Sequence, residues 1–159
     1  MIVRRGAPGD APAIAAIWNG VIANTTATFT TEPKDPEALA ALADTVWIAE
    51  DGATVLGFAL MAPFRAGPGY ASVREHSVYV ADTAHGRGVG PALMRALEAE
   101  AVETGIDHLI AGISGENAAA IAFHAALGFQ HVGRLPSVGQ KFGRRIDLVL
   151  MQKNLSKER

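Results

Sequence analysis

The chain has no cysteine, so it can use neither disulfide staples nor a cysteine-linked covalent intermediate. Charge of one sign is also missing: 14 Lys and Arg stand against 16 Asp and Glu, a net charge of -2, and no basic field exists to draw in a phosphate backbone. Nucleic acid is therefore excluded as an expected partner. Charged residues are few, at 19%, while hydrophobic ones reach 49%, the reverse of a disordered composition. Long apolar runs are absent too. The longest, Ala118 to Phe129, is broken by His124 and falls well short of the roughly 20 residues a membrane span needs. Arg4 and Arg5 are followed by Gly6, Pro8, Gly9 and Asp10 rather than by an apolar stretch, so no export signal is read and a cytoplasmic location is expected. His108 and His131 show no ligand spacing with each other or with carboxylates, and no metal is expected.

What is present suits one folded domain. At 159 residues a chain buries roughly 70% of its unfolded surface, enough for an ordinary core. The domain is expected over residues 1–153, with 154–159 as a polar C-terminal tail. After a short strand, Ile2 to Arg5, Asp10 reads as the N-cap of a helix over Ala11 to Ala23, with Ile14, Ile17, Trp18, Val21 and Ile22 at helical spacing. Asp35 caps a second, short helix starting at Pro36. Val46 to Ala49 and Thr54 to Met61 form a hairpin, and Ser72 to Val80 is the next strand. A glycine turn over Ala84 to Gly90 leads into a helix from Pro91 to Glu103. Then follow a strand over His108 to Ile113, a helix over Asn117 to Leu127, and strands over Phe129 to Arg134 and Ile146 to Met151. The order is βααβββαβαββ, and its central strand-turn-helix-strand unit demands a parallel pair.

The run His85-Gly86-Arg87-Gly88-Val89-Gly90 sits between the strand ending Val78-Tyr79-Val80 and a helix. Glycines permit positive φ and close approach of a ligand, and the helix start offers unpaired N–H groups at its positive end. Such a turn holds phosphate oxygens, although the same spacing also serves tight structural turns. Gly-Lys-Ser or Gly-Lys-Thr is missing, which excludes a nucleoside-triphosphate loop, and the turn does not follow the first strand as a dinucleotide fold requires.

This motif, placed in that element order, resembles the GNAT superfamily of acetyl-CoA-dependent N-acetyltransferases along the whole chain. His85 stands where the family has Arg or Gln; a neutral imidazole still donates one hydrogen bond. The resemblance implies a mixed α/β fold: a mostly antiparallel central sheet with one splayed parallel pair, and helices on both faces. It also implies that Val78, Tyr79 and Val80 lend main-chain groups to the pantetheine arm, that His85 to Gly90 hold the pyrophosphate, and that Asn117 meets the cofactor. His124 takes the place of the family's Tyr that protonates the departing thiolate; a histidine on a helix is as readily a packed one.

The segments Glu75-His76-Ser77-Val78-Tyr79-Val80 and Thr28-Phe29-Thr30-Thr31-Glu32-Pro33 are similar to the phosphinothricin and methionine sulfoximine acetyltransferase branch. By that resemblance Glu75 is the general base, Phe29, Arg74, Glu75, His76 and Ser77 line the acceptor site, and the protein forms homodimers. An alternating strand sets Arg74 and Glu75 on opposite faces unless a bulge intervenes. Glu75 also fits a solvated outer face, and Phe29 an ordinary core role. Lys141, Arg144 and Arg145 read as a solvated basic hairpin. The expected activity is direct acetyl transfer, in a ternary complex, to the α-amino group of a small amino-acid analogue. The alternatives are acetylation of a protein N-terminus, which needs an open groove, and a non-catalytic acetyl-CoA sensor.

Overall fold

The computed structural model describes residues 1–156 and carries the expected element order: β1 (Ile2–Arg5), α1 (Ala11–Asn24), α2 (Pro36–Ala40), β2 (Trp47–Asp51), β3 (Thr54–Pro63), β4 (Val73–Val80), α3 (Val89–Glu103), β5 (His108–Ser114), α4 (Ala118–Ala126), β6 (Gln130–Lys141) and β7 (Arg144–Asn154). The strands make one sheet in the order β1-β2-β3-β4-β5-β7-β6. Every neighbouring pair is antiparallel except β4 with β5. These two are joined by α3, as a parallel crossover requires. They pair only over Val73–Glu75 and His108–Ile110, and beyond Glu75 they part.

Two apolar layers flank the sheet. Ile14 of α1 and Leu39 of α2 pack on Ile48 and Phe58 on one face. On the other, Leu93, Met94 and Leu97 of α3 pack on Leu109, Ala111 and Val149. Each such side chain, taken out of water, contributes about 1.5–3 kcal/mol. Helices therefore hold the sheet on both sides, and no described helix is long and apolar enough to cross a membrane.

Several local expectations are corrected. Asp10 does not cap α1 with its side chain; its carboxylate takes two bonds from Arg4, at 2.8 and 2.9 Å, and one from the Ala7 amide. Helix α3 begins at Val89, inside the glycine motif. Strands β6 and β7 run much longer than expected, because their antiparallel ribbon continues past Gly133, Pro136 and Gly139. Register shifts between His131 and Gly133 and between Leu135 and Gly139 absorb them. Lys141 is not solvated but 3% exposed. Asn154 still belongs to β7 and Leu155 packs against the core, so the tail starts later than residue 154. Its last three residues lie outside the described ones.

Candidate active site

The parting of β4 and β5 opens a cleft of about 440 Å³ between the sheet halves, walled by Val21, Thr25 and Ala27 on the α1 side and by Asn117, Phe123 and His124 on the α4 side. Its spine is β4. The Ser72 carbonyl accepts from His108 N–H on the β5 side, whereas the Ala81 N–H donates to Leu56 of β3. Strand alternation then aims the main-chain groups of His76, Val78 and Val80 into the gap. A bound amide-rich chain would extend the sheet there. Tyr79 departs from the sequence reading, since its main chain turns to Phe58 of β3.

The opposite alternation sends the side chains of Glu75, Ser77 and Tyr79 to the α1 face. Tyr79 stacks with Trp18 at 5.8 Å and Phe58 at 5.6 Å. Burial raises its phenol pKa, partly offset by the neighbouring Thr28, Ser77 and Trp18 polar groups. Glu75, at the fork, lays its Oε2 only 3.0 Å from where a Cβ would stand on Gly112 of β5. One side of Glu75 is exposed, yet water lost from the other side pushes its carboxyl above the ordinary value. Gly112, which sequence reasoning passed over, is what lets the carboxylate settle there. A glycine inside a strand is the signal that something approaches closely.

Arg74 is not brought to this face. The β3–β4 register runs without a bulge from Pro63↔Arg74 through Met61↔His76, and the Arg74 guanidinium donates to the carbonyls of Ala71 and Val73, both at 3.0 Å. Phe29 lies on the backbone of Gly139 of β6, where a Cβ would be 2.4 Å from its ring.

On the other face, His76 and His124 are buried and their Nε2 atoms are 2.9 Å apart. His124 Nδ1 lies 2.8 Å from the Ala120 carbonyl, which accepts only, so Nδ1 carries the proton. In the neutral ring His124 Nε2 is then an acceptor, and His76 Nε2 must donate to it. Burial, and secondly the His124 neighbour, lower the His76 pKa to about 3; burial likewise lowers that of His124. His124, expected as the acid, thus has both ring nitrogens engaged, by His76 and by the Ala120 carbonyl. The His76 side chain faces the α4 side.

The glycine turn ends the cleft. Gly86 and Gly88 have φ of 78° and 77°, and a Cβ on either would meet nothing within 4 Å. The requirement is conformational, and the space above stays open to a ligand. Val89 and Gly90 begin α3 with amides that have no partner one turn back. Gly90 has a further task, since a Cβ there would be 2.9 Å from the Phe123 ring; it lets α4 close against α3. Arg87 is paired at 2.9 Å with Asp51 at the end of β2, and His85 stands 3.9 Å from Asp82. Asn117 uses its side-chain oxygen to cap α4 through the Ala120 amide at 3.0 Å, keeping its N–H groups at the cleft wall. A splayed strand with free main-chain groups, running to a left-handed glycine turn and a helix start, fits an acyl-CoA.

Comparison with known proteins agrees. The acetyltransferase (GNAT) family model matches residues 14–129. The chain is 40% identical to the L-methionine sulfoximine/L-methionine sulfone acetyltransferase of Pseudomonas aeruginosa, over 99% of this chain and 96% of that protein. It is 36% identical to the phosphinothricin N-acetyltransferase of Streptomyces coelicolor, over 96% and 95%. A solved structure from Salmonella typhimurium, described as an acetyltransferase with its cofactor acetyl-CoA, superimposes with a TM-score of 0.94 at 34% identity, covering 99% of this chain and 95% of that one. The fold and cleft define an acyltransferase, and the chain belongs to the GNAT family. It is an acetyl-CoA-dependent N-acetyltransferase.

Proposed function

We propose that this enzyme acetylates the α-amino group of a small amino-acid analogue of the methionine sulfoximine, methionine sulfone or phosphinothricin type, with Glu75 as general base. The observation that carries this reading is the place of Glu75: at the fork of β4 and β5, on the face of Ser77 and Tyr79, seated over Gly112, with its carboxyl pKa raised by lost hydration. The names of the relatives supply the acceptor class.

Main-chain groups of His76, Val78 and Val80, the amides of Gly88 to Gly90, and the Asn117 amide hold acetyl-CoA, which supplies a thioester acyl group when bound. Glu75, ionised, takes a proton from the incoming ammonium, directly or through one water, which frees the nitrogen lone pair for the carbonyl carbon. The N–C bond forms and the C–S bond breaks. A raised pKa suits this task, since a base titrating nearer neutrality is a stronger proton acceptor. The buried His76–His124 pair contributes an uncharged wall; the nitrogen's second proton passes to solvent as the amide forms, and solvent supplies the sulfur's proton. Without cysteine, direct transfer in a ternary complex is the route that needs no cysteine acyl-enzyme. By the same resemblance two copies pair, and the apolar groove lined by Phe64, Tyr70, Val132 and Leu150 supports that assembly.

The test is thiol release from acetyl-CoA with methionine sulfone, phosphinothricin, common amino acids and short peptides. Release with the two analogues is expected; release with peptides alone overturns the acceptor assignment, and acetyl-CoA binding without release to any acceptor favours a sensor.

A further inference from the structure

The Lys141 side chain is the most unexpected feature of the acceptor side. It is 3% exposed, and among the described residues no carboxylate pairs with it. Its Nζ donates instead to two main-chain carbonyls, Thr25 at 2.6 Å and Thr28 at 2.8 Å. Burying a cation without a counter-charge is unfavourable, and burial lowers its pKa. An apolar side chain would fill the same space at lower cost, so the lysine does something that packing does not.

Both carbonyls belong to the segment after α1, whose Thr25 and Ala27 wall the cleft and whose Thr28 stands beside the Tyr79 hydroxyl. Two residues before Lys141, on the same strand face, Gly139 receives the Phe29 ring. A tight turn through Phe142 and Gly143, with φ of 52° and 74°, closes the β6–β7 hairpin immediately beyond Lys141. The segment is tied from a third side where Thr26 Oγ1 donates to Glu116 at 3.1 Å, the carboxylate that also accepts from Arg144.

We infer that Lys141 is a positioning residue for acceptor recognition: its ammonium straps residues 25–29 down over the fork, so that the acceptor meets a preformed wall instead of ordering a loose loop. This rests on the reading that the acceptor enters on the Glu75 face. A loop closed for about a tenth of the time would raise the apparent acceptor dissociation constant about tenfold.

The test compares wild type with Lys141→Met, using methionine sulfone and acetyl-CoA as probes, and measures amide hydrogen exchange in residues 25–33. Expected are an acceptor KM raised about tenfold, an acetyl-CoA KM within about twofold of wild type, and faster exchange confined to that segment. Unchanged acceptor KM and unchanged exchange overturn the strap, and so does a parallel loss in both KM values and kcat, which marks a merely structural lysine. Gly139→Ala keeps Lys141, displaces Phe29 and should show the same split, so the idea stays testable if Lys141→Met does not fold. If wild type acetylates peptides but not methionine sulfone, the acceptor reading fails while the exchange measurement still judges the strap.

Discussion

Glu75 Oε2 sits 3.0 Å from the position a Cβ would take on Gly112, so the carboxylate's resting place exists because β5 carries a glycine there. Gly112→Ala leaves both strands in place but shifts the Glu75 carboxylate. The contact needs a shift of only a few tenths of an ångström, and misplacing a reacting group by about 1 Å costs roughly 100-fold. A fall in kcat/KM of about three- to tenfold is therefore expected, with circular dichroism and acetyl-CoA binding unchanged. Wild-type turnover in Gly112→Ala would mean that the position of Glu75 is not what limits the reaction.

Glu75→Gln separates the proposed base from the fold. Loss of general-base assistance removes about 10²–10⁴ in kcat/KM. The base must be ionised and its pKa is raised by burial, so the acid limb of the wild-type pH–rate profile lies above the ordinary Glu value of about 4.3, and activity falls as pH drops through it. That limb disappears in the variant. Stability moves the other way: a carboxyl whose folded pKa is raised contributes stability below its unfolded pKa and loses it as pH rises through the folded one. Near neutral pH Glu75→Gln should therefore melt no lower than wild type, as thermal unfolding at pH 7 will show.

The His76–His124 pair predicts an opposite slope. Both folded pKa values are lowered, that of His76 to about 3, so below the unfolded value of about 6.5 the unfolded chain binds protons that the folded one refuses. Unfolding free energies from urea titrations should fall from pH 7 to pH 5, by up to about 1.4 kcal/mol per pH unit for each histidine. Ring nitrogen shifts at pH 7 should show neutral His124 protonated on Nδ1 and neutral His76 on Nε2. An Nδ1-protonated neutral His76, or an imidazolium signal from His76 at pH 6, would remove the assignment.

Element order and the glycine turn were legible in the sequence because periodicity, caps and glycine placement are local, and local preference agrees here with the final packing. Tertiary decisions were not. Nothing near Arg74 in sequence says that β4 runs without a bulge, and that register alone denies Arg74 the acceptor face. Lys141 reads as a hairpin charge until the Thr25 and Thr28 carbonyls, more than a hundred residues away, arrive at its ammonium. His124 was legible as a residue of the site but not in its state, which depends on His76 and on the Ala120 carbonyl. Gly112 and Gly139 were visible as glycines, while the side chains that need them, Glu75 and Phe29, come from other elements.

The Arg87–Asp51 ion pair at 2.9 Å yields a prediction of two signs. Both side chains are about half exposed, and such pairs contribute about 0–1 kcal/mol, so removing either should shift the melting temperature little. Their effects on cofactor binding differ. Arg87 stands between Gly86 and Gly88 of the turn, and a guanidinium bound to Asp51 is partly withheld from any anion held there. Arg87→Ala should raise the acetyl-CoA KM severalfold, whereas Asp51→Ala, which frees the guanidinium, should lower it, and low salt should widen both differences. Competition for one cation produces opposite signs from the two partners. If both substitutions raise the KM alike, Asp51 is holding the turn in shape and Arg87 is bound to it for that purpose, not waiting for phosphate.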